Sequence, residues 1–165
     1  MKNVLIIGGS GMLSGVCNYY LKAEYKVTVL SRTDKKEAFA RGDVDWLKSD
    51  YDKEGFMDII KDFFRTNAVS EIIVWMHDEH SENFEKLMEF LKNTPETGVF
   101  HVRGSSAFYS LDTKKYGENY HQVILGMNKV DGETRWLKHS EISLGVIVAT
   151  QEKKKVFTVG IAPED

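Results

Sequence analysis

Gly8, Gly9 and Gly11 stand between an apolar run, Val4-Leu5-Ile6-Ile7, and a stretch with helical spacing. Glycines at such a junction leave the backbone N–H groups of a helix start open to a phosphate and keep side chains out of its approach. Ser10, Met12 and Leu13 complete the turn, which contains no Asp or Glu to repel an anion. A second apolar run, residues 27–30, ends at Ser31-Arg32-Thr33, with Lys35 and Lys36 close behind. An arginine there can fork onto a phosphate, and the flanking hydroxyls can donate to it.

Strand, glycine turn, helix and second strand make a βαβ unit of the kind that binds a phosphorylated dinucleotide. A carboxylate at the end of the second strand would take a ribose 2′-hydroxyl, whereas a cation suits a 2′-phosphate. Arg32 therefore leans the reading towards NADP over NAD. Asp34 comes too late in the chain and reads as a helix N-cap. The competing readings are a tight turn that binds nothing and an arginine that is simply exposed. A methyltransferase, whose cofactor also sits on a glycine-rich βα turn, would want an acidic residue where Arg32 stands.

The elements that must position these residues alternate along the chain. Strands are predicted at residues 4–7, 27–30, 43–48, 71–76 and 98–102. Helical spacing appears at Leu13, Val16, Cys17, Tyr20 and Leu21, and a short polar helix is expected at 34–41. Two apolar stripes follow, Phe56, Ile59, Ile60, Phe63 and Phe64, then Phe84, Leu87, Met88 and Leu91. The alternation predicts an α/β fold, a doubly wound Rossmann-like parallel sheet with helices on both faces. After the fifth strand, residues 121–130 and 133–137 flank Asp131-Gly132, a hairpin signal. A helix at 139–151 and a strand at 156–160 complete this C-terminal hairpin, helix and strand.

Composition bounds the function classes. The 165 residues suit a single domain, 1–165, and 42% apolar with 28% charged residues is a globular composition. A net charge of −3 gives no support to a nucleic-acid partner. Cys17 is the only cysteine, so an intramolecular disulfide is excluded and a buried, inert thiol is expected. The first apolar run is too short for a signal peptide or membrane span, so a cytoplasmic protein with no membrane partner is expected.

The glycine turn, Gly8-Gly9-Ser10-Gly11-Met12-Leu13-Ser14, resembles the G-x-x-G-x-x-G turn of extended and atypical short-chain dehydrogenase/reductases, with Ser14 at the last glycine. Asp50, after the third strand, resembles the acidic residue that this family uses on the adenine amino group. Ser105-Ser106-Ala107-Phe108-Tyr109-Ser110 is similar to the family's serine-bearing segment. The resemblance covers roughly residues 1–110. It implies NADP(H) bound by Gly8, Gly9, Ser10, Gly11, Met12, Leu13, Ser31, Arg32, Thr33, Asp50, His77 and Ser105, with a small molecule as substrate. One departure concerns the chemistry. No tyrosine has a lysine four residues later, so the family's Tyr-x-x-x-Lys acid–base pair is missing, and the hairpin takes the place of the helix that carries it. The catalytic residues thus stay unassigned, with Ser105, Tyr109 and His77 as proton-donor candidates. A non-catalytic NADP-binding redox sensor is the rival to a reductase.

His77-Asp78-Glu79-His80 has H-x-x-H spacing, but two imidazoles without a third ligand are thin grounds for zinc, and no metal is expected. His77 reads better as a neighbour of the nicotinamide ribose. No G-x-S-x-G elbow or G-K-[ST] loop occurs. Val123, Ile124, Leu125, Met127 and Val130 are apolar on both faces of their strand, and a homodimer is expected to help cover them.

Overall fold

The computed structural model describes residues 1–8, 11–32, 44–110 and 116–163. The short helix expected at 34–41 lies outside them. The main elements run β1 (Asn3–Ile7), α1 (Ser14–Lys22), β2 (Lys26–Ser31), β3 (Val44–Lys48), α2 (Phe56–Thr66), β4 (Val69–Val74), α3 (Glu82–Lys92) and β5 (Gly98–Arg103). A 3-10 turn, Ser105–Tyr109, follows. Then come β6 (Tyr120–Leu125), β7 (Met127–Val130), β8 (Glu133–Trp136), α4 (His139–Glu152) and β9 (Val156–Val159).

Seven strands form one sheet in the order β3-β2-β1-β4-β5-β6-β9, and every pairing in it is parallel. Such a sheet must be covered on both faces, and the alternation of side chains along each strand shows how. Val4, Ile6, Val27 and Val29 pack with Val16, Cys17 and Tyr20 of α1 and with Ile142, Val146 and Ala149 of α4. Leu5, Ile7, Leu30, Ile72 and Val74 pack on the other side with Phe56 and Ile60 of α2 and Phe84, Leu87 and Met88 of α3. Cys17 is buried among them, and burial pushes its thiol up to about 12, which makes it the inert residue the sequence implied.

The C-terminal third needs three corrections. The run 121–130 is two strands, not one arm of a hairpin. Its first part, β6, joins the main sheet beside β5, and the chain leaves the sheet at Gly126, whose N–H donates to Val159. Only β7 and β8 form the hairpin, with Asp131 and Gly132 both at positive φ as a two-residue primed turn requires. Second, the hairpin replaces no helix between β5 and β6. Among the described residues, that connection carries only the 3-10 turn. Third, Val123, Ile124 and Leu125 are covered by the chain itself, at 0%, 0% and 8% exposure. The apolar strand therefore gives no reason for a partner subunit.

The connection from β6 to β9 passes over the α1 face, whereas α3 joins β4 to β5 over the opposite one. Both connections advance in the same direction across the sheet, so they have opposite hands, an exception to the usual right-handed rule. With α4 on the far side, the described helix that reaches β5 on the opposite face is α3, whose Phe84 ring centroid lies 4.9 Å from that of His101.

Candidate functional site

Every candidate cofactor residue that is described lies at one edge, the C-terminal ends of the strands. The strand order reverses between β1 and β4, and ligands of open α/β sheets bind in the crevice at such a point. Gly8 leaves β1 with φ +74°, and a Cβ there would lie 2.0 Å from the Trp75 carbonyl oxygen at the end of β4. That glycine is required by packing. Gly11 differs: it is exposed, and an added Cβ would meet only His139 Cε1, at 3.8 Å. Nothing among the described residues needs Gly11 to lack a side chain, and the space beside it is open. α1 starts just beyond at Leu13, which gives the helix no side-chain cap. Leu13 itself is a core residue at 1% exposure and can offer only backbone, while Met12 is half-buried. Gly9, Ser10 and Thr33 lie outside the described residues.

Ser31 and Arg32 close β2, with Arg32 exposed. Asp50 follows β3, and its Oδ1 accepts the Asp52 N–H at 2.9 Å, which folds the chain into a turn. Asn83 of α3 ties this segment down by donating to the Tyr51 and Lys53 carbonyls, each at 2.8 Å. His77 is exposed past β4, with its ring centroid 5.9 Å from that of Trp75. Ser105 opens the 3-10 turn after β5. Trp75, His77, Glu79, His80, Gly104 and Ser106 line a hollow of about 270 Å³ between these last two strand ends. His77 and His80 both belong to it, yet among the described residues no three His, Cys, Asp or Glu side chains converge as a metal site would need. Tyr109 is 76% exposed and turns away from the core.

The structure also assembles a cluster that sequence reasoning missed. On β5 and β6 the positions facing α2 and α3 carry His101, Arg103, Tyr120 and Gln122, where the other strands place Leu, Ile and Val. Arg103 forks onto Glu79 from the β4–α3 loop, Nε to Oε1 at 2.8 Å and Nη2 to Oε2 at 2.9 Å. Its remaining N–H groups go to the Ser110 carbonyl, the Ser110 hydroxyl and Gln122 Oε1. His101 Nδ1 lies 2.6 Å from the Tyr120 hydroxyl, and its Nε2 is 3.3 Å from Glu79 Oε1. Burial alone would raise the Glu79 carboxyl, but contact with His101 and the Arg103 fork outweighs it and holds the group at about 2. Arg103 is the charged partner, because burial pushes His101 below its ordinary value and keeps it neutral. Burial likewise pushes the Tyr120 phenol up. Glu79, His101 and Tyr120 border a second hollow of about 330 Å³, which shares Glu79 and His80 with the first. The signal for it was two polar residues at i and i+2 within an otherwise apolar strand.

No family model and no curated protein matches the sequence. Solved structures do match the fold. A bulky-bulky ketone specific alcohol dehydrogenase from Comamonas testosteroni aligns with TM-score 0.68 at 11% identity, over 99% of this chain and 88% of that one. A short-chain dehydrogenase from Burkholderia cenocepacia, solved with NADP, aligns with TM-score 0.64 at 14% identity, over 97% and 89%. Another, from Leptospira borgpetersenii with bound NAD+, gives 0.61 at 14% identity, over 98% and 92%. The chain has the Rossmann fold of the short-chain dehydrogenases. Among the described residues no helix is long and apolar enough to cross a membrane.

Proposed function

We propose that the chain binds a nicotinamide dinucleotide, NADP(H) in preference to NAD(H), and acts as an atypical short-chain reductase on a small molecule. The observation that carries this reading is the pairing of an open Gly11 before α1 with an exposed Arg32 at the end of the neighbouring strand. Gly11, Met12 and the start of α1 would hold the pyrophosphate, and Arg32 and Ser31 the 2′-phosphate. Asp50 would face the adenine, and His77 and Ser105 the nicotinamide end. The bound dinucleotide would supply a hydride, and the two hollows that share Glu79 and His80 would hold the substrate. Gly9, Ser10 and Thr33 belong to the same reading through their place in the sequence.

Titration of NADPH and NADH against wild type and Arg32→Ala tests the cofactor choice. A guanidinium on a 2′-phosphate contributes about 1.5–3 kcal/mol, so wild type should prefer NADPH about ten- to a hundredfold and the variant should lose that preference. Equal affinities in wild type, or a preference that survives the substitution, reduce Arg32 to a surface residue.

One observation favours the second reading, a non-catalytic NADP(H) sensor. None of the seven tyrosines has a lysine four residues on, and the described part of the β5–β6 connection holds no helix to carry such a pair. Consumption of bound NADPH in the presence of a panel of aldehydes and ketones separates the two. A homodimer now rests on the exposed side chains of Trp136, Leu144, Val130 and Ile161 alone. Light scattering at micromolar concentration that returns a monomer's mass ends that idea.

A further inference from the structure

Arg103 is the last residue of β5, and two loops of the site meet on its side chain. Nε and Nη2 fork onto Glu79 in the loop after β4. Nη1 and Nη2 donate to the carbonyl and the hydroxyl of Ser110, each at 3.0 Å, at the far end of the segment after β5. Nη1 also donates to Gln122 Oε1 on β6, so every N–H of the guanidinium is spent. The two loops are the walls of the first hollow. Residues 75–80 line one side of it, and Gly104 and Ser106 line the other. We propose that Arg103 is a positioning residue for the nicotinamide end of the site. Its clamp sets the spacing between the loop that carries His77 and the segment that carries Ser105 and Ser106. This rests on the dinucleotide reading given above.

An arginine is a costly residue for that place. On the same face of the sheet, β1, β2 and β4 carry Ile7, Leu30 and Val74 near their ends, all fully buried. A buried ion pair gains little net stability over a well-packed apolar pair, because desolvation offsets the attraction. What the guanidinium adds is geometry. Its planar fork is pre-organised and fixes several partners at once with little freedom left over. The segment after β5 needs such a tie. Its described part holds a 3-10 turn whose bonds are local, Ala107 N–H to Gly104 and Ser110 N–H to Ala107. Short 3-10 runs have poor hydrogen-bond geometry and hold a chain weakly. Groups on two loops can act on one substrate only if their spacing is fixed, since a misplacement of about 1 Å costs on the order of a hundredfold in rate.

Hydrogen exchange in the unliganded protein reads the clamp directly. The amides of His80, Ala107 and Ser110 are each hydrogen-bonded within the two loops. In Arg103→Lys, which keeps the charge and loses the fork, all three should exchange at least about tenfold faster while those of β1 and β4 keep their rates. Binding is then measured with NADPH and with adenosine 2′-monophosphate, which lacks the nicotinamide half. Arg103→Lys should weaken NADPH by about five- to twentyfold and leave adenosine 2′-monophosphate within about twofold. Ser110→Ala, at an exposed residue, leaves the Glu79 fork intact and serves if Arg103→Lys does not fold. It should speed Ala107, spare His80 and weaken NADPH by about two- to threefold. Unchanged exchange in both loops overturns the proposal, as does unchanged NADPH affinity or an equal loss for both probes. If wild type binds neither probe, the dinucleotide reading itself falls and takes this role with it.

Discussion

Glu79→Ala should lower the free energy of unfolding by about 3–5 kcal/mol, the loss expected when one partner of a buried ion pair is removed. The Arg103 side chain is only 10% exposed, and Glu79 is the carboxylate that its fork meets. The alanine leaves a cation between His101, Gln122 and Ser110 with no counter-charge. Urea denaturation at neutral pH measures the difference, and a loss under about 1 kcal/mol would show that the pair is solvated in practice. The pH profile gives an independent reading. Glu79 falls from an ordinary 4.5 to about 2 on folding, so its contribution is whole above 4.5 and drains away as the pH drops towards 2. His101 acts with the same sign at higher pH. Its folded value lies below 6.5, so the folded state resists the proton that the unfolded chain takes up, and stability declines as the pH falls below 6.5. Wild type should lose stability in both windows, and Glu79→Ala should be flatter in the lower one. Identical acid profiles would remove Glu79 from the account.

The glycine turn offers the second large effect, and it separates fold from function. Gly11→Val should melt like wild type yet bind NADPH at least about a hundredfold more weakly, because its methyls enter space that only a ligand would use. Gly8→Ala should instead fail to give a stable protein. Its φ of +74° already strains an L residue, and its Cβ would overlap the Trp75 carbonyl. Calorimetric titration and thermal melts on the two variants decide the matter. A Gly11→Val protein that binds NADPH normally would mean that the turn serves packing alone.

What could be read in the sequence was local or strongly periodic. Val4 to Ile7 is a continuous apolar run, and Val27 to Leu30 is interrupted only by the buried Thr28, because both faces of a parallel strand are buried. Asp131-Gly132 announced its turn through backbone conformations that few other residue pairs accept. Pairing over long separations left no such mark. Residues 121–130 look like one strand, and only the register of β6 against β5 and β9 shows that the chain leaves the sheet at Gly126. His101, Arg103 and Gln122 sit 19 or more positions from the partners that give them meaning, or on separate strands, so each alone reads as an ordinary interruption. The α1–α4 contact left no mark for the same reason: Ser143 and Met12 lie at opposite ends of the chain.

That separation has a bearing on how the protein is made. Ser143 and Met12 are 131 positions apart, and the buried face of α1 is completed by α4. A ribosome releases the N-terminal strands and α1 long before α4 exists. Until then Val16, Cys17 and Tyr20 lack half of their cover, and the early βαβ unit is a sticky intermediate rather than a folded module. The α1 face of the sheet accordingly closes last, when α4 docks against α1. A chain stalled before residue 139 would contain the whole glycine signature and still leave the outer side of α1 uncovered.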